Sequence, residues 1–124
     1  MLAQTVFERV GGVMVVRKIV TDFYERVLDS PVVRHHFAEV SMPRLIDHQA
    51  QFISQLLGGP IRISDETLQH AHARLGITPE EFEEVGRILR ETLEEAGWAI
   101  EDIALVMGEV RRHEPLIVTV RAPA

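Results

Sequence analysis

Glycine and proline cut this chain into helix-length pieces, and that punctuation limits its fold more than any other feature. Gly11-Gly12, Asp29-Ser30-Pro31, Gly58-Gly59-Pro60, Gly76 and Gly97 separate stretches whose apolar residues recur every three or four positions. Such spacing lines one face of an α-helix, whereas a strand needs a period of two. The stretch after Gly12 carries Val13, Val16, Val20, Phe23, Tyr24 and Val27 in this pattern. Ser30 is placed to cap a short helix that has Pro31 in its first turn and ends near Phe37. A long helix opens after Ser41, with Pro43 in its first turn and a stripe of Leu45, Phe52 and Leu56 flanked by Ile53 and Leu57. Gly58-Gly59-Pro60 ends it, because proline cannot continue a helix. Residues 61–64 read as a loop, followed by a short helix from Asp65 to Leu75 that Gly76 stops. Thr78-Pro79-Glu80-Glu81 is a strong helix start, with Thr78 as cap and Glu81 completing a capping box. That helix shows Phe82, Val85, Leu89 and Leu93 and stops at Gly97; the last shows Ile100, Ile103, Met107 and Val110. The apolar tail from Leu116 to Val120 reads as a frayed helix end or as extended chain.

The expectation is therefore an all-α protein, one domain over residues 1–124, with a single core. A net charge of -6 disfavours nucleic acid and anionic membranes as partners, since both recruit lysine and arginine. The absence of cysteine excludes disulfides, thiolate-ligated metals and cysteine nucleophiles. The start, Met1-Leu2-Ala3-Gln4-Thr5, lacks the basic-then-apolar order of a secretory signal, and no apolar run reaches the ~20 residues of a membrane span. The expected location is the cytoplasm.

Three polar residues fall on apolar faces. His72 lies four after Leu68 and three before Leu75, on the inner side of its short helix, while His70 points the other way. A buried imidazole needs a partner, which a carbonyl or a metal would supply. Gln49 lies four after Leu45 and three before Phe52; its amide either ties two helices together or aims a donor at a ligand. Tyr24, the chain's one tyrosine, lies four after Val20 and three before Val27. His48 sits at the edge of the Gln49 stripe. One inward nitrogen ligand in a dry helical pocket suits a haem iron; zinc asks for three or four ligands, and neither a cluster of that size nor an HExxH is present. His35-His36 and His70-x-His72 read as adventitious metal binders at best.

At this point the residues resemble a family. Phe7-Glu8-Arg9-Val10-Gly11-Gly12, Asp22-Phe23-Tyr24-Glu25-Arg26-Val27-Leu28, Phe37, Met42-Pro43-Arg44-Leu45 through Leu57-Gly58-Gly59-Pro60, and Ala71-His72-Ala73-Arg74-Leu75-Gly76-Ile77 stand in the order and spacing of a group-one truncated haemoglobin. That family has the two-over-two helical globin fold. The resemblance spans about Phe7 to Val110.

The resemblance implies haem b, with His72 as proximal iron ligand and Tyr24 and Gln49 as the distal pair that hydrogen-bonds dioxygen. It puts Phe23, Phe37, Leu45, Phe52, Leu68, Leu75 and Phe82 around the haem. His48-Gln49 has the arrangement in which a histidine before the distal glutamine binds iron reversibly as a sixth ligand. The histidine that links covalently to haem in such members does not align with His113. Arg44, His70 and Arg74 are propionate candidates by position only. The chain departs from the family at Ile61-Arg62-Ile63-Ser64, which lacks the usual tyrosine and glycine, and at Leu45, apolar where some members are polar.

Three functions follow from the resemblance. The first is binding of dioxygen, nitric oxide and carbon monoxide, extending to nitric oxide dioxygenase activity fed by a separate reductase, since no flavin or nicotinamide motif is present. The second is a six-coordinate redox or nitrosative-stress protein with His72 and His48 both on iron. The third is a haem-free helical sensor or adaptor.

Overall fold

The computed structural model describes residues 4–58, 64–73 and 75–120, apart from the side chain of His70. The described residues form helices and connecting turns, with no strand among them. The helices are α1 (Val6–Val10), α2 (Val13–Asp29), α3 (Met42–Leu56), α4 (Asp65–His72), α5 (Pro79–Glu95), α6 (Ile100–Arg112) and α7 (Glu114–Ile117). A 3-10 turn, Arg34–Phe37, stands between α2 and α3. None of these helices is long and apolar enough to cross a membrane.

α2 is the central helix. It packs on α1, α3, α5 and the 3-10 turn, while α5 packs on α6 and α4 on α7. Its inner face buries Val16, Ile19, Val20, Phe23, Tyr24 and Val27, the three-and-four series read from the sequence. Val13 leaves that series: it starts the helix and is 53% exposed. The core gathers these residues with Phe52, Ile53 and Leu57 of the α3 side, Leu68 of α4, Ile88, Leu89 and Leu93 of α5, and Ile103 and Val106 of α6. Ion pairs cross the rim from α2: Arg17 to Asp47 on α3 and Arg26 to Glu95 on α5. Exposed pairs of this kind stabilise little, and the buried apolar area does most of the work.

The glycine breaks act through backbone conformation. Gly11 has φ 118°, and its N–H caps α1 by donating to the Phe7 and Glu8 carbonyls. A Cβ there would stand 2.5 Å from Cγ2 of Val15. Gly11→Ala therefore meets both a left-handed backbone and a clash. It is expected to lower stability by about 1–3 kcal/mol, read as a drop in the thermal unfolding midpoint. An unchanged midpoint would mean that the α1–α2 corner can reopen without cost.

Several boundaries differ from the sequence reading. Ser30 opens no helix: it is the C-cap of α2, its N–H donating to the Val27 carbonyl, its hydroxyl donates to Glu84 on α5, 2.7 Å away, and the next helical residues begin at Arg34 as a 3-10 turn. α4 ends at His72 rather than Leu75, and Ser64 caps it by accepting from the Thr67 N–H. Thr78 and Glu81 form the expected capping box on α5. The tail is both things foreseen for it: α7 ends at Ile117, and beyond it Thr119 and Val120 donate to the Ile77 carbonyl as extended chain. Gly59, Pro60 and the Ile61–Ile63 part of the loop lie outside the described residues, as do Met1, Leu2 and Ala3.

Candidate functional site

Tyr24 is the best-fixed of the polar residues. It is buried on α2, where its ring meets Phe23 edge-on at 4.7 Å between centroids and Phe37 at 5.8 Å. The 3-10 turn delivers Phe37 to that contact. Burial pushes the phenol pKa far above its ordinary value, so the hydroxyl stays protonated across neutral and mildly alkaline pH and acts as a donor. Phe52 and Leu68 are buried in the same cluster, with Phe37 and Leu45 half-buried against it. Six of the residues assigned by resemblance, Phe23, Tyr24, Phe37, Leu45, Phe52 and Leu68, thus share one apolar body.

His72 closes α4 and is half-buried. Its Nδ1 lies 2.8 Å from the Leu68 carbonyl one turn earlier. A carbonyl only accepts, so Nδ1 carries the proton and Nε2 carries the lone pair. This is the tautomer a metal ligand requires, with its second nitrogen already oriented by the backbone. The two readings left open for His72, carbonyl partner and metal ligand, are compatible here because they use different nitrogens.

Gln49 is half-buried on α3 and His48 exposed, as expected of neighbours about 100° apart on a helix. Leu75, beyond the end of α4, is 42% exposed. Phe82 is buried but outside the cluster around Tyr24; the Arg111 guanidinium lies over its ring, 5.6 Å from the centroid. Arg44 is exposed, while Arg74 and the His70 side chain lie outside the described residues. A groove of about 740 Å³ opens elsewhere, beside Arg9, Lys18, Arg26 and Trp98, and none of the assigned haem residues lines it.

The family model for bacterial-like globins matches residues 5–118. The group 1 truncated hemoglobin of Synechocystis is 34% identical over 111 residues, covering 84% of this chain and 90% of that protein. The chain is a truncated haemoglobin. Among solved structures, the 2/2 hemoglobin of Synechococcus, with covalently attached heme, superposes with a TM-score of 0.86 at 25% identity, covering 94% of this chain and all (100%) of that one. The Tetrahymena pyriformis truncated hemoglobin in its Fe(III) form gives 0.78 at 27% identity, covering 93% of this chain and 98% of that one. Haem b is therefore the prosthetic group, and the His72 tautomer fits it.

One histidine of this truncated haemoglobin, set aside in the sequence as not aligning with the haem-linking position, is buried, which its spacing was not used to predict. His113 is 2% exposed, donates from Nδ1 to the Glu109 carbonyl at 2.7 Å, and meets the Phe52 ring edge-on at 5.5 Å. Its Nε2 lies 3.3 Å from Arg112 and 3.6 Å from Asp65. Unlike His72, it is a core histidine with both ring nitrogens engaged. Its place three after Val110 and seven after Val106 carried the signal, since that continues the α6 stripe.

Proposed function

We propose that this globin binds dioxygen and related diatomic gases at an open sixth coordination position, with His72 as the protein ligand to iron and Tyr24 and Gln49 as distal donors. The observation that carries the reading is the Nδ1 bond from His72 to the Leu68 carbonyl, which frees Nε2 for iron. Haem supplies the open coordination position for a diatomic molecule. The chain supplies the rest. The Tyr24 ring, held edge-on against Phe23 and Phe37, carries a protonated hydroxyl that serves as donor to a partly negative ligand. Gln49 adds an amide from α3. Phe23, Phe37, Leu45, Phe52 and Leu68 keep water from the donors, which strengthens each hydrogen bond. Leu75 and Phe82 complete the proposed haem contacts.

Two donors make for slow oxygen release, which suits detoxification or sensing better than delivery. Conversion of nitric oxide and dioxygen to nitrate consumes one electron per turnover. The proposed donor is a separate reductase, because the sequence carries no flavin or nicotinamide motif.

The first test is the absorption spectrum of the ferrous protein under nitrogen. A broad high-spin visible band is the expected result. A split low-spin spectrum would overturn the open site and put an internal ligand on iron, with His48 the first suspect. No haem band after addition of haemin would overturn the haem assignment itself.

A further inference from the structure

We infer that His35, His36 and Glu81 form a second metal site, separate from the haem, that takes a divalent transition-metal ion of the zinc class. Successive residues of a 3-10 helix point about 120° apart, so neighbouring histidines ordinarily diverge. Here the two imidazoles lie 4.2 Å apart between centroids, tilted by 37°. Nε2 of each comes close to the same atom, Oε2 of Glu81: that of His36 is hydrogen-bonded to it at 2.8 Å and that of His35 lies 3.1 Å away. The ligand atoms of the three residues all lie within 4.8 Å of one another. Ligands around a tetrahedral zinc stand roughly 3.3 Å apart, given metal–ligand bonds of about 2.0–2.2 Å. Small side-chain rotations would open this cluster to that geometry.

The carboxylate is prepared for the role. Its Oε1 accepts from the Thr78 N–H at 2.9 Å in the capping box, which fixes the group and leaves Oε2 for the histidines. Burial works to raise its pKa, but hydrogen bonds from Thr78 and His36 outweigh it and hold the group below the usual carboxylate range. Glu81 and His36 are 12% and 14% exposed, whereas His35 is 60% exposed, so the cluster is walled on one side and open to an entering ion on the other. A hydrogen bond satisfies His36. His35 gains little from an ion pair in water, and its convergence on the same oxygen is better explained by a shared ligand. Two imidazoles and one carboxylate favour zinc, copper or nickel over magnesium or calcium. A bound ion would clip the 3-10 turn to the first turn of α5, one residue from Phe37.

The test is a zinc titration of the haem-loaded protein against a chromophoric chelator near neutral pH, run in parallel with His35→Gln and His36→Gln. The expected result is one equivalent bound, saturating well below about 1 mM, with each variant weaker by about tenfold or more. His35 is exposed, so His35→Gln leaves the fold intact and isolates the ligand effect. Unchanged affinity in that variant, or no saturable binding in the native protein, overturns the site. The haem spectrum of each sample keeps this outcome distinct from a failure of the haem assignment.

Discussion

Replacing His72 by glycine is expected to strip the protein of firmly held haem, with haem affinity falling about 100-fold or more. Loss of groups that merely orient a metal ligand already costs about 10- to 100-fold, and loss of the protein's own iron ligand should exceed that. The change is clean. His72 is the last residue of α4, where glycine is tolerated, and it is only half-buried. The fold should survive, since α2, α3, α5 and α6 build most of the core and the contribution of α4, Leu68, is left in place. Transfer of haem to an apoglobin acceptor measures the effect, and imidazole added to His72→Gly should restore the ferrous spectrum. Retention of haem with an unchanged ferrous spectrum would move the iron ligand elsewhere.

Removing the Tyr24 hydroxyl, as Tyr24→Phe, is expected to speed oxygen dissociation from the ferrous protein by about tenfold to a hundredfold. A hydrogen bond to a charged acceptor is worth about 1.5–3 kcal/mol, and each 1.4 kcal/mol is a factor of ten. The ring remains, so the contacts with Phe23 and Phe37 persist and the change isolates one donor. Carbon monoxide, a weaker hydrogen-bond acceptor, should leave at nearly its original rate. Burial raises the phenol pKa, so the acid form, which is the donor, persists as pH rises. Oxygen dissociation from the native protein should accordingly stay flat from neutral to mildly alkaline pH, as stopped-flow measurements can show. Equal acceleration for both gases would point to a widened pocket and would remove Tyr24 from the donor role.

The Ser30 and His35-His36 outcomes show why local pattern has a limited reach. Ser30 reads as the cap that opens a new helix because serine before proline commonly is one. Its hydroxyl instead reaches Glu84, 54 residues along the chain. His35 and His36 read from the sequence as adventitious metal binders at best, with no third ligand beside them. They converge because Glu81, fixed by its own capping box on a distant helix, sits where both can reach it. Neither pairing leaves a trace in local spacing.

By itself the sequence determined most of the helical pieces, the inward faces of α2 and α5 and the chemistry available at them, while on α6 the same spacing put Ile100 inward, where it is 76% exposed. Three-and-four spacing set the faces of α2 and α5, Gly11 and Gly97 broke the chain, and Thr78 with Glu81 started α5, all through interactions within a few residues. Spacing likewise put His72 and Tyr24 inward, because helix geometry alone sets that angle. Only the tertiary structure decided which inward groups meet and how far each is withdrawn from water. It placed Phe37 against Tyr24, left Leu75 and His48 exposed, put Phe82 beneath Arg111 and buried His113 against Phe52. Those outcomes depend on how helices far apart in the chain cross and close over one another, and a helix's own periodicity does not specify its neighbour.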